Sequence, residues 1–392
     1  MPEKLHYDYI IAGAGAAGLS LLWHLLNSSL KEKKILVIDK TLDPDNEKTW
    51  CFWDLENFPF TEIIHFSWDT LKIISPDGEK LEENLKTYKY HSMRSNQLNR
   101  HVISYAKNFD NVDFREAVIS SVYLSGSKAV LNTEDELYSA EYIFQSVFKP
   151  ADYDSSAVDT SLKQHFKGWE IETDEKMFNP EVATLMDFDI DQKNGFSFFY
   201  QLPVSETCCL FEYTLFSENL LDEDSYDSEI KHYLTDKFEL NPSDYKIRRT
   251  EFGIIPMEDR RYSSWYNGRT LNIGTAGGWT KPSTGYTFSR IQTRCRKIVG
   301  SLESGKKPKF RNGSSYRFRV YDMMILYLIK KYPVKSVNIF SRLFKTSGMD
   351  RILTFLDEKT TIVEEISIFS KLPYSPFFHA IYKLKHRILT GA

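Results

Sequence analysis

The first sustained pattern in the chain lies between residues 7 and 40, YDYIIAGAGAAGLSLLWHLLNSSLKEKKILVIDK. It reads as an apolar run, a glycine-rich turn, apolar residues at helical spacing and a second apolar run, which predicts strand, turn, helix and strand. Downstream, YHSMRSNQLNRHVISYAKN (90–108) predicts a helix entered through a polar turn, and residues 112–148 alternate as short strands. FSFFYQLPV, TCCLFEYTLFS and FGIIPM are strand-like stretches within 166–260, interrupted by the acidic, helix-like ENLLDEDSYDSEIKHYL. TLNIGTAGGWTKPSTGYTFSRIQTRCRKIV (270–299) returns to strand, glycine loop and helix. The expected organisation is α/β: a nucleotide-binding first part (1–165), an antiparallel substrate domain (166–260), a return segment (261–305) and a C-terminal helical region (306–392).

The glycines give this outline its first chemistry. Gly13, Gly15 and Gly18 have the GxGxxG spacing between strand and helix, and Asp39 closes the second strand. Gly13 permits the tight turn, Gly15 lets backbone approach a pyrophosphate, Gly18 lets helix pack on strand, and Asp39 is suited to ribose hydroxyls. Gly274, Thr275 and Gly285 belong to a second glycine loop, which a chain needs if it is to hold FAD, a cofactor longer than NAD, at both ends. Arg94, near the start of the expected helix, is a candidate for a phosphate or ribose, with a surface arginine as the alternative.

LFEYTLFS (210–217) poses a question. As a strand it turns Glu212 to the same side as Leu210, Thr214 and Phe216. Either this is a half-solvated edge that tolerates a carboxylate, or the carboxylate is buried for a purpose.

Composition narrows the classes. The four cysteines, Cys51, Cys208, Cys209 and Cys295, have neither metal-ligand nor redox spacing, so no metal is expected and a reducing cytosol fits. The first apolar segment runs directly into the glycine motif, unlike a signal peptide, and MMILYLI (323–329) stops at Lys330 and Lys331, far short of a spanning helix. The net charge of −4 conceals a division: residues 281–392 carry 22 basic and 7 acidic side chains, the first 280 carry 28 and 47. Basic residues alternate with aromatic and aliphatic ones in LPYSPFFHAIYKLKHRIL (372–389), a pattern that suits an anionic membrane surface, with an ordinary solvated amphipathic helix as the alternative. No nucleic-acid module is recognisable.

KTWCFW (48–53), LFEYT (210–214), FGIIPM (252–257), GTAGGWTKPSTGY (274–286), YRFRVYDMMIL (316–326), and FLDEKTT followed by LPYSPFF (355–378) resemble, in order, the blocks of the FAD-containing lycopene cyclases of carotenoid synthesis. The resemblance implies a Rossmann-like FAD domain with an antiparallel substrate domain, similar to the aromatic hydroxylase branch of flavoproteins. It also implies closure of the linear ends of lycopene to γ-carotene and β-carotene, by an enzyme peripheral on the inner face of the cell membrane. Reduced FAD is the implied active form, with NAD(P)H as the source of reduction.

Within this resemblance the essential acid falls on Glu212, and the second acid of many relatives is replaced by Tyr213. The flavoprotein Gly-Asp pair is replaced by Gly274-Thr275. Cyclisation has no net redox change, so it needs an acid, a base and a wall that tolerates a cation. Trp50, Phe52, Trp53 and Trp279 are candidates for that lining; Asp357 and Glu358 are candidates for proton removal, with helix capping as the alternative. A flavin oxidoreductase on the same fold, such as a hydroxylase or prenyl reductase, is the rival function, and a non-catalytic membrane-surface flavoprotein is another.

Overall fold

The structure is a computed structural model that describes residues 5–43, 47–53, 58–308 and 314–390. The opening unit is β1 (Leu5–Ala12), α1 (Ala16–Leu26) and β2 (Ile35–Asp39), with β1 and β2 parallel. The runs are continuously apolar because both sheet faces are buried. Tyr9, Ile11, Ile35 and Val37 pack on the helical side; Ile10, Ala12, Leu36 and Ile38 pack on a β-hairpin.

Then follow β3 (Thr49–Trp53), β4 (Phe66–Trp68), β5 (Thr70–Ile74), β6 (Lys80–Asn84), β7 (Tyr90–Arg94) and α2 (Ser95–Ala106). The helix expected over 90–108 therefore begins only at Ser95. Tyr90–Arg94 is strand because it pairs with both β3 and β4, long-range partners that override local propensity. β8 (Val112–Glu116), the hairpin β9 (Ile119–Ser125) and β10 (Lys128–Thr133), and β11 (Leu137–Gln145) complete the first half, before the short α3 (Pro150–Tyr153).

The second half begins with β12 (Ser161–Thr173), β13 (Val182–Asp187), β14 (Phe196–Pro203), β15 (Cys208–Ser217), α4 (Glu223–Phe238) and β16 (Tyr245–Glu258). β17 (Trp265–Asn267), β18 (Thr270–Asn272) and α5 (Phe288–Glu303) return to the first sheet. The chain continues through α6 (Tyr316–Lys331), α7 (Pro333–Ser347), α8 (Met349–Leu356), α9 (Ile362–Phe369) and α10 (Tyr374–Thr390).

The main path of the first sheet runs β17-β18-β11-β1-β2-β8, parallel from β18 to β8. The second is a seven-stranded sheet, β16-β12-β15-β14-β13-β5-β6. A boundary at 165/166 does not separate the two sheets, because β5 and β6 from the first part of the chain extend the large sheet, β5 pairing with β13 and β6 with β5. β13 and β5 are parallel, and nothing in the local sequence of either strand encodes a partner over a hundred residues away.

The large sheet is covered on both faces. Phe211, Tyr213 and Leu215 pack against Tyr226, Ile230 and Tyr233 of α4, while Leu210 and Phe216 face the cluster that includes Phe318, Phe340 and Phe355 of the C-terminal helices. The strand alternation read from LFEYTLFS thus holds, but the half-solvated alternative does not: Glu212 is 9% exposed, on a strand buried on both sides.

Among the described residues, no helix is long and apolar enough to cross a membrane. All four cysteines are free thiols.

Candidate active site

A cavity of about 730 Å³ runs from the glycine turn of the first sheet to Glu212 on the second. At one end lie Gly15, Ala16 and Ala17, the start of α1, where unpaired backbone N–H groups favour an anion. Gly13 has φ +112°, and a Cβ on Gly18 would overlap the Gly13 carbonyl. The turn is therefore built for chain close to chain. Gly18→Val, which also crowds the Ile11 side chain, is expected to cost about 3 kcal/mol and to abolish cofactor retention, as read by thermal unfolding and bound-flavin absorbance. Asp39 ties the turn to β2: its Oδ2 accepts from the Ala14 N–H at 2.6 Å.

In the middle of the cavity, the returning segment supplies Gly274, Thr275, Thr284 and Gly285. Gly274 and Gly285 both have positive φ, and a side chain on Gly285 would overlap Gln164 Oε1. Gln164 Oε1 and Thr284 Oγ1 are buried without a partner at this wall. A polar ring system bound here satisfies them, so the residues present fit a flavin between the two glycine loops.

At the other end, one row of residues crosses four adjacent strands: Tyr200 on β14 pairs with Glu212 on β15, Glu212 with Gly168 on β12, and Gly168 with Glu251 on β16. Because Gly168 has no side chain, the carboxyl groups of Glu212 and Glu251 approach each other over it. A Cβ there would lie 3.0 Å from Glu251 Cγ and 3.1 Å from Leu210 Cδ1. Burial, and secondarily the nearby Glu251 carboxyl, push the Glu212 pKa well above its ordinary 4.5.

The hydrogen bonding around the pair is asymmetric. Thr214 Oγ1 donates to Glu212 Oε1 at 2.9 Å. Glu251 Oε2 accepts from the Thr49 N–H, the Thr49 hydroxyl and Arg249 Nη1 at 2.8, 2.9 and 2.6 Å. Glu251 Oε1 has no hydrogen-bond partner of its own, which leaves an acceptor beside the Glu212 carboxyl. This arrangement favours a protonated Glu212 beside a carboxyl whose Oε2 is saturated and whose Oε1 is open to accept.

Tyrosines rather than tryptophans surround Glu212. Tyr90, Tyr200 and Tyr286 line the cavity, and the hydroxyls of Tyr90 and Tyr286 lie 3.2 Å apart. Burial pushes all three phenols upward, so they remain neutral and present both ring faces and hydroxyls. Trp50 lines the cavity and stacks on Phe288. Trp53 stands behind Tyr286, edge-on with ring centroids 4.6 Å apart.

Five expected positions are corrected. Arg94 does not face the cavity; Glu47 and both oxygens of Glu170 take its guanidinium at 2.8–3.0 Å, and Glu170 also contacts Arg249 at 3.3 Å. Arg94 thereby anchors the ion network that holds Glu251. Asp357 is bonded to the Trp53 indole N–H at 2.9 Å and to Lys359, outside the cavity lining, and so fixes the ring behind Tyr286. Glu358, at φ +61°, is held by Lys281 and Arg290, which outweigh its burial and keep its pKa low; it too lies outside the lining. Both carboxylates follow the last residue of α8, where they do not cap a helix N-terminus. Trp279 is fully buried in the core of the first domain, under the Arg294 guanidinium, and Phe52 packs in the same core.

Sequence reasoning missed Glu251 and the three tyrosines. Glu251 immediately precedes FGIIPM, and Tyr286 immediately follows Gly285 in the quoted loop. A lone acid entering an apolar strand is the same signal that singled out Glu212.

These sheets and this cavity define the class: an α/β fold with two large sheets and a small three-stranded one, shared with flavin-dependent enzymes. A geranylgeranyl bacteriochlorophyll reductase-like protein from Thermoplasma acidophilum superposes with a TM-score of 0.59 at 12% identity, covering 98% of this chain and 100% of that one. A flavoprotein/dehydrogenase from Cytophaga hutchinsonii gives 0.59 at 12% identity over 98% and 99%, and a flavin-dependent brominase gives 0.58 at 12% over 97% and 100%. Within that class the chain belongs to the lycopene cyclase family ("Lycopene cyclase protein"), which it matches over residues 8–382. It is 24% identical over 296 residues to a lycopene beta-cyclase from Paracoccus sp. (strain N81106 / MBIC 01143), across 72% of this chain and 70% of the other.

Proposed function

We propose that the protein is a lycopene beta-cyclase that closes the linear ends of lycopene by acid/base catalysis, giving γ-carotene and then β-carotene without net redox change. The carrying observation is Glu212, buried beside Glu251, which together with burial raises its pKa, and facing the cavity that reaches the glycine loops. In this reading Glu212 delivers its proton to the terminal double bond of the polyene. The tertiary cation that results is attacked by the neighbouring double bond of the same chain, closing the ring. The ring cation then loses a proton from the adjacent carbon, and the Glu212 carboxylate accepts it. Bonds and protons balance, and the product is an isomer.

The Tyr90, Tyr200 and Tyr286 rings supply negative faces to the cation, and the apolar part of the lining, including Leu162, Phe166, Leu202 and Leu210, offers it no nucleophile. Gly13, Gly15, Gly18 and Asp39 would hold the dinucleotide end of FAD, and Gly274, Thr275 and Gly285 its ring end. When bound and reduced, with NAD(P)H as the source of electrons, FAD supplies an electron-rich ring. The basic C-terminal region and the exposed apolar side chains of α9 and α10 support a peripheral position on the inner face of the cell membrane.

The test is anaerobic incubation of FAD-loaded protein with NADPH and lycopene in vesicles. The expected products have unchanged mass and a shortened chromophore, with catalytic rather than stoichiometric use of NADPH. Stoichiometric NADPH loss accompanied by a change in product mass would instead establish the oxidoreductase, and unaltered lycopene beside reduced, bound flavin would reject the cyclase.

A further inference from the structure

A second cavity, of about 400 Å³, lies among α6, α7, α9 and α10. Its wall is almost entirely apolar, including Phe318, Met324, Ile325, Leu343 and Phe369. At its inner end Lys281 and Ser283 both bond to Asp322, at 3.1 and 2.6 Å, so the charges there are internally compensated. Thr284 lines this cavity and the one containing Glu212. The two cavities thus meet at a single turn, which carries hydrogen bonds from the Lys281 N–H to the Tyr286 carbonyl and from the Gly285 N–H to the Lys281 carbonyl.

The outer end of the second cavity is marked by apolar side chains left in water. Ile366 on α9 is 62% exposed, and Phe378 and Ile381 on α10 are 68% and 42% exposed; all three line the cavity. Ile362, Val363 and Tyr382 extend the same exposed face. Such a cluster leads from an apolar surface into an apolar chamber.

We propose that this second cavity is a binding site for a long polyene chain: it receives the substrate from the bilayer between α9 and α10 and berths the part of the polyene that projects beyond the catalytic cavity. The proposal rests on the cyclase reading for the identity of the polyene. A linear substrate with one end at Glu212 must lodge the remainder of its length elsewhere, and the first cavity also has to contain the flavin. The second cavity has the apolar walls, the shared Thr284 and the exposed mouth that this remainder requires. An apolar chain gains free energy for each methylene-sized unit it withdraws from water, so berthing supplies the binding energy that a substrate without polar groups otherwise lacks.

The test uses the FAD-loaded full chain and cis-parinaric acid, a conjugated tetraene that brightens on leaving water. Wild type is expected to bind the probe saturably, and lycopene-laden vesicles are expected to displace it. The Ile366→Trp/Ile381→Trp double variant narrows the mouth at two surface-exposed positions. It should bind the probe at least tenfold more weakly and convert vesicle-borne lycopene correspondingly more slowly, with unaltered flavin content and spectrum. Unchanged probe binding or unchanged conversion in that folded variant overturns the proposal. Equal displacement by lycopene-free vesicles also overturns it, because the site then takes lipid acyl chains. If wild type leaves lycopene unconverted, yet lycopene still competes with the probe and the double variant blocks both, the polyene site stands while the cyclase reading falls.

Discussion

Glu212→Gln is expected to reduce lycopene cyclisation by at least about 1000-fold, within the range by which a positioned general acid accelerates proton transfer. Glutamine keeps the volume of the side chain and the bond from Thr214 while removing the transferable proton. The same variant is expected to be more stable than wild type as pH rises. Glu212 has a folded pKa above its ordinary 4.5, so its neutral form favours the fold; that contribution is fully present below 4.5 and is lost as pH climbs through the raised folded value. A glutamine side chain at this position has no proton to lose. Thermal unfolding at pH 8 should therefore give a midpoint about 2 °C or more above wild type, with the advantage vanishing near pH 4. Cyclisation that survives the substitution, measured as pigment formed per bound flavin, would remove Glu212 from the chemistry.

Glu251→Gln is expected to lower cyclisation about 100-fold at pH 8, in the range of a lost acid/base positioning contact, and to shift the alkaline limb of the rate profile to lower pH. The direction follows from the hydrogen bonds. Arg249 and Thr49 require an acceptor at the outer atom of residue 251, so the amide oxygen turns toward them and the amide N–H₂ turns toward Glu212. A donor in place of a carboxylate oxygen stabilises ionised Glu212, and the loss of the neighbouring carboxylate removes the repulsion that raises its pKa. Glu212 then deprotonates at lower pH. Glu251→Asp, which keeps the charge, should restore part of the pH profile. A fall in stability with no movement of the alkaline limb would mean that Glu251 serves only the Arg94–Glu170–Arg249 network. Glu251→Ala is the less informative change, because it removes the nearest partner of Arg249, leaving only Glu170 and Glu47, and so confuses folding with catalysis.

The residues most legible in the sequence are those whose purpose is local. A glycine that must sit at positive φ, such as Gly13 or Gly285, declares itself by its type and by its place between a strand and a helix. The strand alternation of LFEYTLFS correctly assigns Glu212 to the face of Leu210 and Phe216. Arg94 misleads because a guanidinium near a helix start looks the same whether its partner is a phosphate or a carboxylate. Its actual partners, Glu47 and Glu170, lie 47 and 76 residues away. Trp53, Trp279 and Phe52 suit a lining because aromatic rings tolerate a cation, but ring type does not say which side of a wall a ring occupies. Tyr90, Tyr200 and Tyr286 have that place.

The sequence by itself determined that the chain is α/β, that a dinucleotide turn opens it, that a second glycine loop returns to it, that an acid enters an apolar strand and that the C-terminal end is basic. Each is encoded in spacing or residue type within a few positions, where backbone sterics and side-chain periodicity act. Only the tertiary structure decided that β5 and β6 join the large sheet and that Asp357 and Glu358 serve packing and charge compensation. It alone decided that Glu251 reaches Glu212 over Gly168. That last contact depends on the register of three strands, and register is set by the pairing of whole strands, to which Gly168 contributes only the absence of a side chain.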